Sequence, residues 1–448
     1  VQRSFRLQKI HPLCALALAG LTALNACSRR VTSAPRDNPL TLNEAAERYV
    51  QLALALGERD PDSLDFSTAP GAEIAAVHAS YPALDEIGRD VASLQVQLRG
   101  LHLTPADQPR AEFLDRQLRA MQERVAMLRG ERLPFDREAQ VLFDTTRLPD
   151  THAAARQALR THIGRMLPPA TKTGEDEAGR LAAYDARFII PPARLLPVFH
   201  AALALCRQQT VKHIALPKGE SVEVNLVRQQ PWAAFSRYMG HAHSVISLNV
   251  DLPMTVDDAL ELACHEGYPG HHVFNTLRDT SLAQGRHWPE AEVQLTFSPQ
   301  SYISEAAAAY APEMAFTDAE RAQVERDVLF PMAGLPSKEA ERDVAINSLV
   351  RRLDSAEPAI ARSYVDGDLE FVRAEQALAR EALMANAEGL LLYLNEYRSY
   401  MLAYTDGPRR LAAELDAKAG AKPDARWRLY AVWMQEMKYR FDTQPPSR

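Results

Sequence analysis

The sequence predicts a mainly α-helical protein with one small β element placed directly ahead of a histidine cluster. Apolar residues recur three and four apart over most of the chain, as in Leu114, Leu118, Met121, Val125 and Leu128. Two stretches break that rhythm, "SVEVNLV" (221–227) and "SVISLNVDL" (244–252), which alternate and are rich in Val and Ile, as strands are. With 46% hydrophobic and 24% charged residues among 448, the chain can bury a sizeable core in one large domain or two ordinary ones.

The first 27 residues read as a targeting segment. Arg3, Arg6 and Lys9 make a basic start, and "PLCALALAGLTAL" (12–24) suits a signal-peptide core better than a bilayer span. "LNAC" then places the small Ala26 before Cys27, which resembles the lipobox of bacterial lipoproteins. The expectation is a signal peptide over 1–26 and a lipid anchor on Cys27, holding the chain to the cell envelope and facing the periplasm. Ser28, in place of an aspartate, favours the outer membrane. Residues 27–40 form a polar, Pro-containing tether.

A helix opens at Thr41, with Glu44 three residues on as a capping box. Further helical patterns cover 82–100, 106–130, 151–166, 175–188 and 192–212. "PPATKTGEDE" marks a boundary near 170–190, dividing an N-terminal helical region (41–180) from a C-terminal region carrying the chemistry (181–448). After the two strands, helices are predicted at 255–266, 304–316, 318–329, 335–355, 369–403 and 426–439. Cys206 and Cys264 form either one disulfide or two buried thiols; both readings stand. A net charge of −7 and the lack of a Lys/Arg run argue against nucleic acid as a partner. Oligomeric state has no signature here.

The chemistry concentrates in "HEGYPGHH" (265–272). A His-Glu pair on a helix commonly holds zinc through imidazole, while the carboxylate takes a proton from the activated water. The second imidazole normally follows four residues on, where this chain has Pro269. On a straight helix His271 would lie about 240° around from His265, and His272 about 10.5 Å further along the axis. Pro269, however, lacks the N–H that would bond the His265 carbonyl, and Gly270 tolerates conformations closed to other residues. The helix-loosening residues therefore sit between the histidines that must converge. A third donor is available in "SYISEAAAAYAPEM" (301–314), where four alanines after Glu305 permit close helix approach.

"HEGYPGHH" followed by "SEAAAAYA" resembles the bacterial family catalogued as domain of unknown function 885, predicted zinc peptidases with an HE-x-x-PGHH signature. That family is similar in layout to the thimet-oligopeptidase and Taq-carboxypeptidase gluzincins. The resemblance implies a multi-helix, zincin-like architecture with a cleft, and Zn2+ held by His265, Glu305 and His271, with His272 as the alternative. It implies Glu266 as general base and a peptide or other amide as substrate. Here Ala306 and Ala307 replace the Gly and Trp of the family pattern. "NEYRSYMLAYTDGP" (395–408) resembles a late family segment, in which Tyr404, or Tyr400, supports the oxyanion and Arg398 holds a substrate carboxylate. Two other functions compete: a zinc amidase acting on a small molecule or cell-wall fragment, and a non-catalytic lipoprotein that keeps the scaffold. His241 and His243 in "GHAHS" line the cleft or a turn, and "SVISLNVDLP" as an edge strand would pair with an extended substrate.

Overall fold

The computed structural model describes residues 40–150, 153–230 and 232–442. The signal peptide, Cys27 and all of the tether except Leu40 lie outside the described residues. The chain runs α1 (Leu42–Arg59), β1 (Leu64–Ser67), α2 (Gly71–Ser80), α3 (Leu84–Arg99), α4 (Gln108–Leu128), α5 (Phe135–Phe143), α6 (Ala153–Met166), α7 (Glu177–Asp185) and α8 (Pro192–Thr210). Three strands follow, β2 (Ser221–Val227), β3 (Ala234–Gly240) and β4 (His243–Asn249). Next come α9 (Val256–Leu262), a π-helical turn (Ala263–Gly267), α10 (His271–Arg278) and β5 (Val293–Leu295). The remainder is α11 (Pro299–Ala315), α12 (Asp318–Val324), α13 (Phe330–Ala333), α14 (Ala340–Arg351), α15 (Glu357–Val365), α16 (Phe371–Ala382), α17 (Ala387–Tyr397), α18 (Leu402–Ala419) and α19 (Pro423–Met434). The fold is mainly α, as the periodicity predicts.

The local signals explain most boundaries. At α1, Thr41 Oγ1 accepts from the Glu44 N–H at 3.2 Å, and the Glu44 carboxylate accepts from the Thr41 N–H at 2.9 Å. The helix predicted over 369–403 divides instead into α16, α17 and the start of α18. Leu383 and Arg398 interrupt it with positive φ of 55° and 45°, a conformation that apolar periodicity does not reveal.

The sheet differs from expectation in one functional respect. Its order is β2-β4-β3, with β4 parallel to β2 and antiparallel to β3. β4 is therefore central, and the expectation of "SVISLNVDLP" as a substrate-pairing edge is corrected. β3, whose "AFSRYMG" lacks clean alternation, occupies that side. His241 sits in the β3–β4 turn with φ of 52°, and His243 Nδ1 bonds Ser221 Oγ at 3.0 Å.

Two apolar clusters form. The smaller joins α1, α3 and α4 through residues such as Tyr49, Val91, Phe113 and Leu118, and takes in Val293 and Leu295 of β5. The larger gathers the rest, including Phe135, Phe143, Tyr184, Phe199, Phe330 and Tyr430. α5 and α7 bury their aromatic residues with the C-terminal helices. β5 crosses back to the smaller cluster, where it pairs antiparallel with β1.

A buried ion pair fastens that crossing. Arg110 of α4 donates from Nη2 to Glu290 Oε2 at 2.8 Å, and Glu290 has no solvent exposure. Removing one partner leaves the other charge buried and uncompensated, at a cost of about 3–5 kcal/mol. Arg110→Ala is expected to lower unfolding stability by roughly that amount in a denaturant titration, whereas a loss below about 1 kcal/mol would match an exposed pair.

Candidate metal centre

The π-helical turn decides where the first histidine points. Its wider ladder closes with the Tyr268 N–H on the Ala263 carbonyl at 3.3 Å, and the Gly270 N–H then reaches back to the Cys264 carbonyl at 3.0 Å. Between them the Tyr268–Pro269 peptide is cis. Gly270 passes so near the preceding turn that a Cβ there would stand 1.8 Å from the His265 oxygen. α10 then starts at His271, with the Phe274 N–H on the Gly270 carbonyl at 2.9 Å. The chain has folded back on itself, and the six-residue spacing no longer separates the imidazoles. The rings of His265 and His271 lie edge to face with centroids 4.9 Å apart.

Cys264, next to His265, is joined by a disulfide to Cys206 of α8, with Cα atoms 5.5 Å apart. Of the two cysteine readings, the structure takes the bonded one. The link ties the ligand-bearing turn to a long helix of the main core.

Glu305 completes the group from α11. One donor atom from each of His265, His271 and Glu305 lies within 4.8 Å of the others. Glu305 Oε1 is 3.2 Å from His271 Nε2, and Oε2 is 3.6 Å from His265 Nε2. Burial alone would push the Glu305 carboxyl up, but the His271 and His265 imidazoles outweigh it and hold it well below the usual range. Burial pulls the His271 imidazolium down, yet Glu305, Glu266 and Asp65 together raise it to about 9.

The donor set fits a divalent metal. Glu305 Oε2 is buried and has no hydrogen-bond partner, which is costly unless something else binds it. Two imidazole nitrogens and one carboxylate are the ligands that borderline metals accept, and three protein ligands leave a coordination position open. Ser304 Oγ lies 3.4 Å from His271 Nδ1, on the side of the ring away from Glu305.

The other predicted residues divide. Glu266, the next residue after His265, is buried, and its charge acts on His271 and Tyr404. The Tyr404 ring lies nearly parallel to His265, with an interplanar angle of 13° and centroids 6.3 Å apart. Burial, reinforced by Glu305, raises its phenol well above the ordinary value, so it keeps its proton at neutral pH. The helix carrying it comes close because α11 presents alanine where α18 has Gly407: a Cβ on Gly407 would be 2.7 Å from the Ala306 Cβ. Tyr400, the alternative donor, bonds Ser301 Oγ at 2.6 Å.

His272 and Arg398 take other roles. His272 is fully buried; its Nδ1 meets Ser244 Oγ at 2.8 Å and its Nε2 meets Glu220 Oε2 at 3.0 Å. Glu220 also accepts from the Tyr268 hydroxyl at 2.7 Å and from Arg207 at 2.6 Å. His272 therefore braces the turn from the sheet side and stands outside the ligand group. Arg398 donates to Glu138 at 2.5 Å and to the Leu133 carbonyl at 2.8 Å. Through Nε and Nη2 it holds α5 against the turn before α18.

Sequence reasoning missed Asp65. Nothing in "LDFS" signals a partner; the β1–β5 pairing sets Asp65 beside Gln294, whose Nε2 donates to its Oδ2 at 2.7 Å. Burial pushes its carboxyl up, His271 opposes and Glu305 adds, leaving it at about 6. On another side, a cavity of about 800 Å³ opens from His265 and Tyr404 toward Glu261, Glu313, Arg352 and Arg409.

Because Gly270 meets backbone and not a flexible side chain, Gly270→Ala must displace the turn itself. Metal affinity, read by chelator competition, is expected to fall at least about tenfold, the scale on which supporting groups of metal sites act. Unchanged affinity in a folded variant would contradict the close approach.

No family model matches the chain, and no curated protein matches it. Two solved structures resemble it distantly. A provisionally assigned lipoprotein of Colwellia psychrerythraea is 14% identical over 89% of this chain and 77% of that one, with a TM-score of 0.47. The M32 carboxypeptidase of Deinococcus radiodurans R1 is 16% identical over 89% of this chain and 91% of its own, with a TM-score of 0.40. At these values neither likeness bears on the chemistry.

Proposed function

We propose that the protein is a zinc-dependent peptidase. The observation that carries the reading is the convergence of His265, His271 and Glu305 to within 4.8 Å, beside a buried Glu266 that is not among them. His2Glu is a zinc set in hydrolases that cleave amides. Zinc held there supplies a Lewis acid that polarises a carbonyl and makes water acidic near neutral pH.

The chain's own groups supply the rest. Glu266 accepts the proton of the attacking water and returns it to the departing amine. Tyr404, protonated and lying beside His265, donates its O–H to the oxygen that gains charge as the carbonyl becomes tetrahedral. His271 and His265 act as neutral ligands. The Cys206–Cys264 disulfide supports an exported chain, since disulfides persist in oxidising compartments. Among the described residues no helix is long and apolar enough to cross a membrane. Attachment through Cys27 is the anchor we propose.

Metal analysis tests the centre: purified protein is expected to hold one zinc, and His265→Ala to lose it. Glu266→Gln should keep the zinc and lose about 10²- to 10⁴-fold in kcat; unchanged turnover would remove Glu266 from the role of base. For Tyr404→Phe a fall in kcat of about 10²- to 10³-fold with little change in KM is expected. An equal rise in KM alone would instead place Tyr404 in ground-state binding.

A further inference from the structure

One face of α8 grips the segment that carries the first two ligands. Leu203, Cys206 and Arg207 stand three and four residues apart, so they project from the same side of that helix. Leu203 lies so near the turn that a Cβ on Gly267 would be 2.6 Å from its Cδ2. Arg207 meets Glu220 at 2.6 Å, and Glu220 accepts from the Tyr268 hydroxyl at 2.7 Å and meets His272 Nε2 at 3.0 Å. The Arg207 side chain is 49% exposed, which weakens that pair. Between the two, Cys206 is bonded covalently to Cys264.

Cys264 is the residue from which the fold-back starts. Its side chain is tied to α8, its carbonyl accepts the Gly270 N–H at 3.0 Å, and His265 follows it directly. α8 also packs against α11, the helix of Glu305. The disulfide therefore holds the ligand-bearing turn to the same support as the third ligand. Neither cysteine has any solvent exposure. Thiol–disulfide exchange needs a thiolate to reach a sulfur, so the folded chain shields the bond once it has formed.

We infer that oxidation of Cys206 and Cys264 matures the metal centre, and that the reduced chain holds the metal weakly. In forming the link, both S–H bonds break and one S–S bond forms. Two electrons and two protons pass to a disulfide oxidant of the compartment, which leaves as two thiols. Without the tie, binding the metal must itself order the fold-back, and affinity falls by that cost. With it, His265 is already placed when the metal arrives. The centre thus assembles in an oxidising compartment and loads poorly in a reducing one.

The inference rests on the metal centre of the proposed function and not on the peptidase step. The unfolded chain is refolded without metal, once with oxidised glutathione and once with dithiothreitol. Zinc affinity is then read by chelator competition after the redox agents are removed. Alkylation with peptide mass reports the Cys206–Cys264 pair, and circular dichroism reports helix content. The oxidised form should bind zinc at least about tenfold more tightly than the reduced form, the scale on which supporting groups of metal sites act. Cys206→Ser should match the reduced form, whereas Leu203→Ala, which keeps the bond, should lose less. Folded oxidised protein given dithiothreitol should keep the bond. A bond lost under those conditions, equal affinities in the two forms, or an equal loss in Leu203→Ala overturns the inference and leaves the metal centre standing. Loss of helix content in both the reduced form and Cys206→Ser overturns it as well, because the bond then serves the whole fold. Oxidised protein that binds no zinc removes the metal centre, and the inference with it.

Discussion

The approach of the Gly270 backbone to the His265 carbonyl is the constraint on which the site depends. A straight helix cannot present residues 265 and 271 to one ion, because they diverge in angle and in height. The π-helical turn spreads the first imidazole's turn, Pro269 withholds the hydrogen bond that would continue the ladder, and Gly270 permits a close approach that no other residue allows. Each of the three is needed. A side chain at 270 would push α10, and His271 with it, away from Glu305.

Around that turn the surroundings are stiff. On one side, Ser244 and Glu220 hold His272 at its two nitrogens, with the Tyr268 hydroxyl donating to Glu220. On another, the disulfide fixes Cys264 to α8. Opposite, the alanines of α11 let α18 approach until Gly407 touches Ala306, which sets Tyr404 beside His265. Small residues serve here as geometry: their value lies in how near two helices can come, and a bulkier pair would widen the gap between Tyr404 on α18 and Glu305 on α11.

Much of this was legible in the sequence, and the reasons differ by element. Helices announced themselves through periodicity and caps, Thr41 with Glu44 being the clearest. The ligand pair was legible because Pro269 and Gly270 have few uses in the middle of a helix, although the choice between His271 and His272 needed the partners of the second ring. Glu305 carried a weak local signal, and the resemblance supplied the rest. Three features could not be read. β3 has no alternation to find, and the central place of β4 is a matter of pairing. Arg398 looked available because its partner, Glu138, lies 260 residues away. Asp65 is the same case reversed: its position comes from a strand pairing across more than two hundred residues, and no local pattern records it.

That long-range pairing joins distant parts of the chain within one of two packing units. His265, Glu266, His271, Glu305 and Tyr404 stand on elements of the larger core, whereas β1 and β5 are fastened to the smaller one. The two units meet at several places, among them Arg110 with Glu290, Arg116 with Asp144 and Arg124 over the Phe297 ring. Local opening of a protein follows such seams, since a unit with its own core can loosen without unfolding its neighbour. His265, His271 and Glu305 lie together on one side of that seam, so opening of the smaller unit does not by itself part them.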